Sequence, residues 1–318
     1  MKKRLSILKV CVSLVGILFT GLTFYLAANY LHHDLETREL NDAMRKAAGG
    51  SFVRLSDGYV HYELAGPDSA RTLVLVHGFS VPYYLWDQNF NALVAAGFRV
   101  LRYDLYGRGY SDRPDGVYDA ELFDRQLVEL LAALKIQQPV DLVGASMGGA
   151  IIITFADRHP GLVRSISLLD PAYLAGRKLP FPVRAPLVGE YIMAVTFAPS
   201  LPASQMDDFA HPERFPDYVE KYRPQMQYKG FRHAILSTIR HYLTRDDTDE
   251  YRRVGESHKP VLLVWGKLDT DVPFAVSEKV LQAIPQAEFH PIEDSAHVPY
   301  YEDPEIVNPI LINFLKRN

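Results

Sequence analysis

Gly144-Ala145-Ser146-Met147-Gly148 constrains this chain more than any other stretch. It lies between an apolar, β-branched run, Val140-Asp141-Leu142-Val143, and a segment of helical composition from Ala150 to His159, so the pentapeptide belongs at a strand-to-helix turn. A turn this sharp brings strand and helix so close that only small residues fit two positions either side of the serine, the places held by Gly144 and Gly148. Ser146 is thereby lifted clear of the sheet, at the start of a helix whose dipole and free N–H groups favour developing negative charge. A Gly/Ser pentapeptide on its own also suits an ordinary surface turn, so the surrounding chain has to decide.

The pattern around it supports the sharper reading. Phe52-Val53-Arg54-Leu55 and Tyr59 to Leu64 alternate about Asp57-Gly58, which predicts an antiparallel hairpin. The period then changes, with strands expected at Thr72 to Val76, Arg99 to Leu105, Val140 to Val143 and Val163 to Leu169. Helices are expected at Tyr84 to Ala96, Leu122 to Leu134 and Ala150 to His159. Strand resumes at Pro260 to Trp265 only after a long interruption, and once more at Ala287 to Ile292. Strands alternating with helices imply an α/β fold with a mostly parallel sheet covered on both faces. Ligands in such sheets bind beyond the carboxyl ends of the strands.

Those strand ends carry the reactive groups. His77-Gly78-Phe79 follows the first buried strand, and the glycine lets the backbone approach a ligand, leaving the Phe79 N–H free to meet an oxyanion together with the Met147 N–H. His77 itself reads as structural. Trp265-Gly266-Lys267-Leu268-Asp269 ends the strand after the interruption, and Glu293-Asp294-Ser295-Ala296-His297 follows the last strand. The order Ser146, Asp269, His297 differs from the chymotrypsin and subtilisin orders and is the one that accompanies a strand-to-helix serine. Asp170, at the end of Leu168-Leu169-Asp170-Pro171, and Asp271 are rival acids; Asp294 is explained by a local loop hydrogen bond.

Composition narrows the partners. The chain has 318 residues, 48% of them hydrophobic, and a formal net charge of -4, with no basic run to support nucleic-acid binding. Its single cysteine, Cys11, excludes an intramolecular disulfide and a cysteine-based metal site. Gly107-Arg108-Gly109 is too short and wrongly placed for a dinucleotide fingerprint, no phosphate-binding loop is present, and neither metal nor cofactor is expected. Lys2, Lys3, Arg4 and Lys9 precede an apolar run from Val10 to Leu31, long enough to span a bilayer core of about 20 helical residues. A cleaved signal peptide is the competing reading, but Leu26-Ala27-Ala28 matches a cleavage site poorly. Asp34, Glu36, Glu39 and Asp42 occupy the other flank, so the charge asymmetry places the globular part outside the cytoplasm.

With His77-Gly78, the segment Tyr103-Asp104-Leu105-Tyr106-Gly107-Arg108-Gly109-Tyr110-Ser111, the serine pentapeptide, Trp265-Gly266 to Asp269 and His297 in this order, the chain from about Phe52 to Leu315 resembles the α/β-hydrolase superfamily. Within it, the chain is similar to cap-bearing serine carboxylesterases and monoacylglycerol-lipase-like enzymes. The resemblance implies Asp269 as the acid, through its Gly-x-x-Asp spacing, and loop-stabilising roles for Asp104 and Arg108. A serine at the turn argues against epoxide hydrolases and haloalkane dehalogenases, which place an aspartate there. Ser146 would form an acyl-enzyme, His297 serving as base and Asp269 holding its tautomer. Carboxylic ester hydrolysis is the expected reaction. Carbon–carbon bond hydrolases, amidases and perhydrolases use the same triad, and a membrane-tethered binding protein on the same fold is the non-enzyme alternative.

The organisation expected is therefore an N-terminal anchor over 1–33, a stalk over 34–50, a core over 51–171 and 259–318, and a helical cap over 172–258. The cap stretch holds Phe181, Tyr191, Ile192, Met193, Phe197, Met206, Phe209, Phe215, Tyr218, Tyr222, Met226, Tyr228 and Phe231. Most of these should form its own core, and a minority an acyl pocket over Ser146, suited to apolar or lipid-like esters. The sequence leaves the oligomeric state open.

Overall fold

The computed structural model describes the backbone from Lys2 to Asn318, and the side chains of Lys9 and of Cys11 onward. The side chains of Lys2, Lys3 and Arg4, expected to flank a membrane span, lie outside the described residues. Eight strands form one sheet: β1 (Ser51–Leu55), β2 (Gly58–Ala65), β3 (Thr72–Val76), β4 (Arg99–Tyr103), β5 (Val140–Ala145), β6 (Val163–Leu169), β7 (Val261–Gly266) and β8 (Glu288–Ile292). Their order is β1-β2-β4-β3-β5-β6-β7-β8. The β1–β2 hairpin turns at Leu55 and Gly58 and joins the sheet antiparallel to β4, and every pairing from β4 to β8 is parallel.

The central strands are dominated by apolar residues because both faces are covered: every residue of β5 and β7 is buried, Asp141 of β5 included. Burying each Leu or Val side chain is worth about 1.5–3 kcal/mol over leaving it exposed, so these strands form the stiff floor on which the loops at their carboxyl ends stand. The helix behind the serine, Met147–Arg158, is buried from Met147 through Ala156, which explains why its sequence shows no polar face. The helix Ala120–Ala133 starts three residues after Val117, where Asp119 caps it by accepting from the Leu122 N–H at 3.0 Å.

One expected helix is divided. Tyr84 to Ala96 reads as a single helix in sequence, but a 3₁₀ turn at Tyr83–Trp86 is separated from a helix at Phe90–Ala95. The break falls where Asn89 turns inward, its amide donating to the Tyr300 carbonyl at 2.7 Å and to Asn308 Oδ1 at 2.8 Å. Satisfying a buried side-chain amide outweighs one more turn of helix.

Between β6 and β7 lies an insertion of short helices and 3₁₀ or π turns, from Phe181–Arg184 to Thr248–Glu256. Met193, Phe209, Tyr218, Tyr222, Met226, Tyr228 and Phe231 are buried in its interior or against the core, whereas Phe181 is 70% exposed. A helix over Lys2–His32 precedes the sheet, and its stretch Cys11–His32 is long and apolar enough to cross a membrane and is not buried against the rest of the protein. Residues 34–50, expected as a spacer, are held against the insertion and the loop after β4. Arg38 donates its N–H to the Gln227 carbonyl (2.9 Å) and accepts from the Lys229 N–H (3.0 Å). Arg232 pairs with Asp34 at 2.8 Å, Glu36 accepts from the Gly230 N–H at 3.1 Å, and Arg45 pairs with Asp112 at 2.6 Å.

Candidate active site

Ser146 stands between β5 and the helix Met147–Arg158 with φ 50° and ψ -123°, a conformation that costs a non-glycine residue on the order of 1–3 kcal/mol and persists only where its surroundings hold it. They do so here: the Ser146 N–H donates to the Leu169 carbonyl at 3.0 Å, and its own carbonyl accepts from Gly149 and Ala172, both at 2.9 Å. A side chain on Gly144 would strike the Gly148 backbone, and one on Gly148 would strike the Val76 carbonyl at the end of β3. The close approach inferred from sequence is therefore real.

His297 comes to the same place from the loop after β8. Its Nδ1 lies 2.8 Å from Asp269 Oδ2, and both side chains are buried. Asp269 Oδ1 accepts from the backbone N–H groups of Asp271 and Val272, each at 2.9 Å. That leaves Oδ2 to accept from Nδ1–H, fixing the tautomer whose Nε2 carries a lone pair. The two loops can meet because a side chain at Gly266 would collide with the Ala296 carbonyl, one residue before His297.

Asp170 sits beside this pair, its carboxylate within 4.8 Å of the ligand atoms of Asp269 and His297, but Nδ1 is taken by Asp269. Asp170 Oδ1 instead accepts from the Gly266 N–H at 2.8 Å, tying β6 to β7, and Oδ2 has no partner. Burial, and after it the charge of Asp269, pushes Asp170 well above the usual carboxylate range. Asp294, expected to bond within its own loop, instead reaches His211 of the insertion at 3.1 Å, because its side chain points to solvent.

Phe79 follows β3 and, with Ser146 and His297, lines one pocket of about 360 Å³. Among the described residues neither the Phe79 nor the Met147 N–H donates to a protein acceptor, the state required of donors kept for a developing oxyanion. His77 is structural, as its position suggested: Leu105 N–H donates to its Nε2 at 2.9 Å and its Nδ1 donates to the Gly78 carbonyl at 2.9 Å. Burial lowers its pKa to about 4, so it stays neutral.

The loop after β4 braces this corner. Asp104 accepts from His61 Nδ1 (2.7 Å), Tyr83 N–H (2.8 Å) and Tyr110 N–H (2.9 Å). Arg108 is buried without a carboxylate partner, which lowers its pKa to about 10. It donates to the carbonyls of Phe79 (2.8 Å) and Tyr106 (3.2 Å) and to Thr238 Oγ1 of the insertion (2.8 Å). A lysine cannot make this fork of bonds. Arg108→Lys is therefore expected to lower kcat roughly 10- to 100-fold with little change in KM, because Phe79 shifts while the pocket survives. An unchanged kcat in a protein with a wild-type circular dichroism spectrum would contradict the bracing role.

Several pocket residues carried no signal in sequence: Leu85, Leu201, Val298 and Tyr300, which with Phe197 supply an apolar wall, and Asp207 and Asp208, which with Asp271, named above as a rival acid, supply carboxylates. Of the insertion's large apolar residues singled out from sequence, Phe197 reaches this pocket. Asp208 accepts from the His297 N–H at 2.9 Å through its carbonyl. Burial lifts its carboxyl to about 7. Asp271 Oδ2 lies 3.4 Å from His297 Nε2. Burial opposes the imidazolium, but the hydrogen bond and charge of Asp269, followed by the charges of Asp208 and Asp271, outweigh it and raise the His297 pKa. Were His297 the base, it would have to be neutral, and activity should climb with pH through that raised pKa. Asp271→Asn removes one contribution that raises it, and the acid limb of kcat/KM is expected to move to lower pH, less so in high salt. A limb that stays in place or moves up would show that Asp271 does not act on His297.

A family model described as "Alpha/beta hydrolase family" matches residues 73–310. The chain belongs to the α/β-hydrolase family. This hydrolase is 27% identical over 253 residues to the AB hydrolase superfamily protein YisY of Bacillus subtilis, covering 77% of this chain and 91% of that one. It is 28% identical to a 2-hydroxy-6-oxononadienedioate/2-hydroxy-6-oxononatrienedioate hydrolase of Cupriavidus pinatubonensis, covering 86% and 97%. In fold it is similar to the enol-lactonase of Burkholderia xenovorans LB400, with a TM-score of 0.72, 22% identity, and coverage of 84% and 100%.

Proposed function

We propose that this hydrolase cleaves uncharged, apolar carboxylic esters, of the carboxylesterase or monoacylglycerol-lipase kind, through an acyl-enzyme on Ser146. His297 is the base that takes the serine proton and returns it to the leaving alcohol, Asp269 holds its tautomer and stabilises its cation, and the Phe79 and Met147 N–H groups bind the oxyanion. The insertion over 172–258 acts as the cap. The observation that carries the reading is the composition of the one pocket shared by Ser146 and His297: an apolar wall, the carboxylates Asp207, Asp208 and Asp271, and neither lysine nor arginine among the described lining residues. The Cupriavidus relative is named for a substrate with two carboxylates, the "dioate". Such a dianion would meet the carboxylates of Asp207 and Asp271 with no cation-forming group but His297 among the described lining residues, and His297 must be neutral to act as base, a like-charge arrangement that disfavours binding.

Hydrolysis rates on p-nitrophenyl esters and monoacylglycerols of graded chain length, set against a 2-hydroxy-6-oxo-dienedioate, test this directly. Esters should turn over and the diacid should not. Faster cleavage of the diacid would overturn the ester assignment in favour of carbon–carbon bond hydrolysis. The apolar helix Cys11–His32 serves in this reading as an uncleaved anchor that holds the catalytic domain outside the cytoplasm, as the positive charge preceding it directs. Protease added to intact spheroplasts should digest the domain, whereas a mature N-terminus near Asn29 would turn the anchor into a cleaved signal peptide.

A further inference from the structure

The stretch Arg177-Lys178-Leu179-Pro180-Phe181-Pro182-Val183-Arg184-Ala185-Pro186-Leu187-Val188 has three cations, no anion and an apolar surface that the fold does not cover. Phe181 is 70% exposed and Leu187 is 83% exposed, more than any other large apolar residue outside the N-terminal helix. Leu187 also sits at φ 65°, a conformation that favours glycine. A bulky apolar side chain held outward in a disfavoured backbone state gains nothing from the protein itself.

This tip is braced. The Arg240 guanidinium donates to the carbonyls of Val183 (2.9 Å) and Ala185 (3.2 Å) and pairs with Glu190. Its position relative to the apolar N-terminal helix is set by two bonds. The Tyr191 N–H donates to the Leu187 carbonyl at 3.0 Å, and the Tyr191 hydroxyl accepts from the Asn29 side chain at 2.7 Å. Asn29 is in the last turn of Cys11–His32. Leu187 is therefore one helical turn, about 5.4 Å, from a residue touching the end of the span. Nearby, the Arg232 guanidinium lies 5.1 Å over the Tyr30 ring. A surface this close to the point where a span leaves the bilayer faces lipid headgroups and the upper acyl chains, which accept Phe and Leu and attract Lys and Arg.

We infer that Arg177 to Val188 is a second membrane contact, seated in the interfacial layer beside the anchor, and that it presents the active site to substrate dissolved in the bilayer. The contact rests on the anchored-ester-hydrolase reading and narrows it. The helical run that begins at Val188 continues through the π turn Met193–Phe197 to Ser204 and brings Phe197 and Leu201 into the pocket beside Ser146. One continuous element thus runs from the lipid surface to the reacting serine, and the substrate class it suits is an ester that partitions into membranes, with a single acyl chain small enough for the pocket.

The test uses the full chain, with Cys11→Ser and a single environment-sensitive fluorophore on Leu187→Cys, Phe181→Cys or, as a control on the exposed side of the core, Glu278→Cys. Each is reconstituted in vesicles of phosphatidylcholine and phosphatidylglycerol, with and without spin-labelled lipid. Labels at 181 and 187 should be quenched by spin-labelled lipid and the label at 278 should not. A protein that floats with the vesicles but leaves the 187 label no more quenched than the control contradicts this contact and spares the anchor. A label shielded from water yet unquenched by lipid assigns the surface to a second copy of the chain and overturns the lipid assignment. A protein that does not float contradicts both anchor and contact. In the same vesicles, Phe181→Ser/Leu187→Ser should keep the rate on a short soluble ester and lose roughly tenfold on a vesicle-borne long-chain ester. Equal rates on the vesicle-borne ester would remove the role in substrate access.

Discussion

Ser146→Ala should abolish covalent labelling and lower kcat on an ester by a factor on the order of 10⁶, leaving only the slow catalysis that the oxyanion donors and binding provide. The size of the effect follows from the proposed chemistry, in which Ser146, at the end of β5 and in the same pocket as His297, is the group that forms the acyl-enzyme. The fold should survive. The Ser146 hydroxyl makes no hydrogen bond within the described protein, and the strained backbone is held by main-chain bonds to Leu169, Gly149 and Ala172 that alanine retains. A variant with the wild-type melting temperature and more than a few per cent of the activity would refute the assignment of the nucleophile.

Asp269→Asn should cost on the order of 10⁴ in kcat. The asparagine carbonyl oxygen would keep accepting from the Asp271 and Val272 N–H groups, so its NH₂ would turn toward His297 Nδ1. Two donors cannot face each other, and the imidazole must then carry its proton on Nε2, where it has no lone pair for the serine proton. Asp170→Asn is expected to cost less than about tenfold, since an amide oxygen can still accept from Gly266 and burial already disfavours the charged form of this carboxyl. Comparing the two variants by kcat and by melting temperature separates the roles. If Asp170→Asn proved the more damaging in kcat, the acid would belong to β6.

The sequence was most legible where function depends on local geometry. Gly144, Ser146 and Gly148 report a strand-to-helix turn through their spacing together with the apolar run before them and the helical run after, and β7 reports its burial through an unbroken apolar run. It was least legible where distant segments meet. His61 and Asp104 lie 43 residues apart, and nothing in an alternating hairpin strand marks His61 as the partner of a buried carboxylate. Asp208 lies in an insertion of short 3₁₀ and π turns with no sustained period to place it, yet its backbone holds His297. Between Asp170 and Asp269, which follow adjacent parallel strands, the Gly-x-x-Asp spacing favoured Asp269 by resemblance alone; the physical reason, His297 bonded to Asp269 and Asp170 occupied by the Gly266 N–H, comes from segments distant in sequence. Residues 34–50 read as a polar spacer because the acceptors and donors that hold them, Gln227, Lys229, Gly230 and Arg232, come from the other end of the chain.

Ser146 is proposed as an activated nucleophile rather than a serine in a tight turn. The most direct measurement is to treat the full-length protein with a fluorophosphonate near neutral pH and map the adduct by peptide mass spectrometry. Rapid, stoichiometric modification of the peptide carrying Ser146, lost in Ser146→Ala and strongly slowed in Asp269→Asn, is the predicted result. A folded protein that stays unmodified, or one modified at a serine other than Ser146, would contradict it.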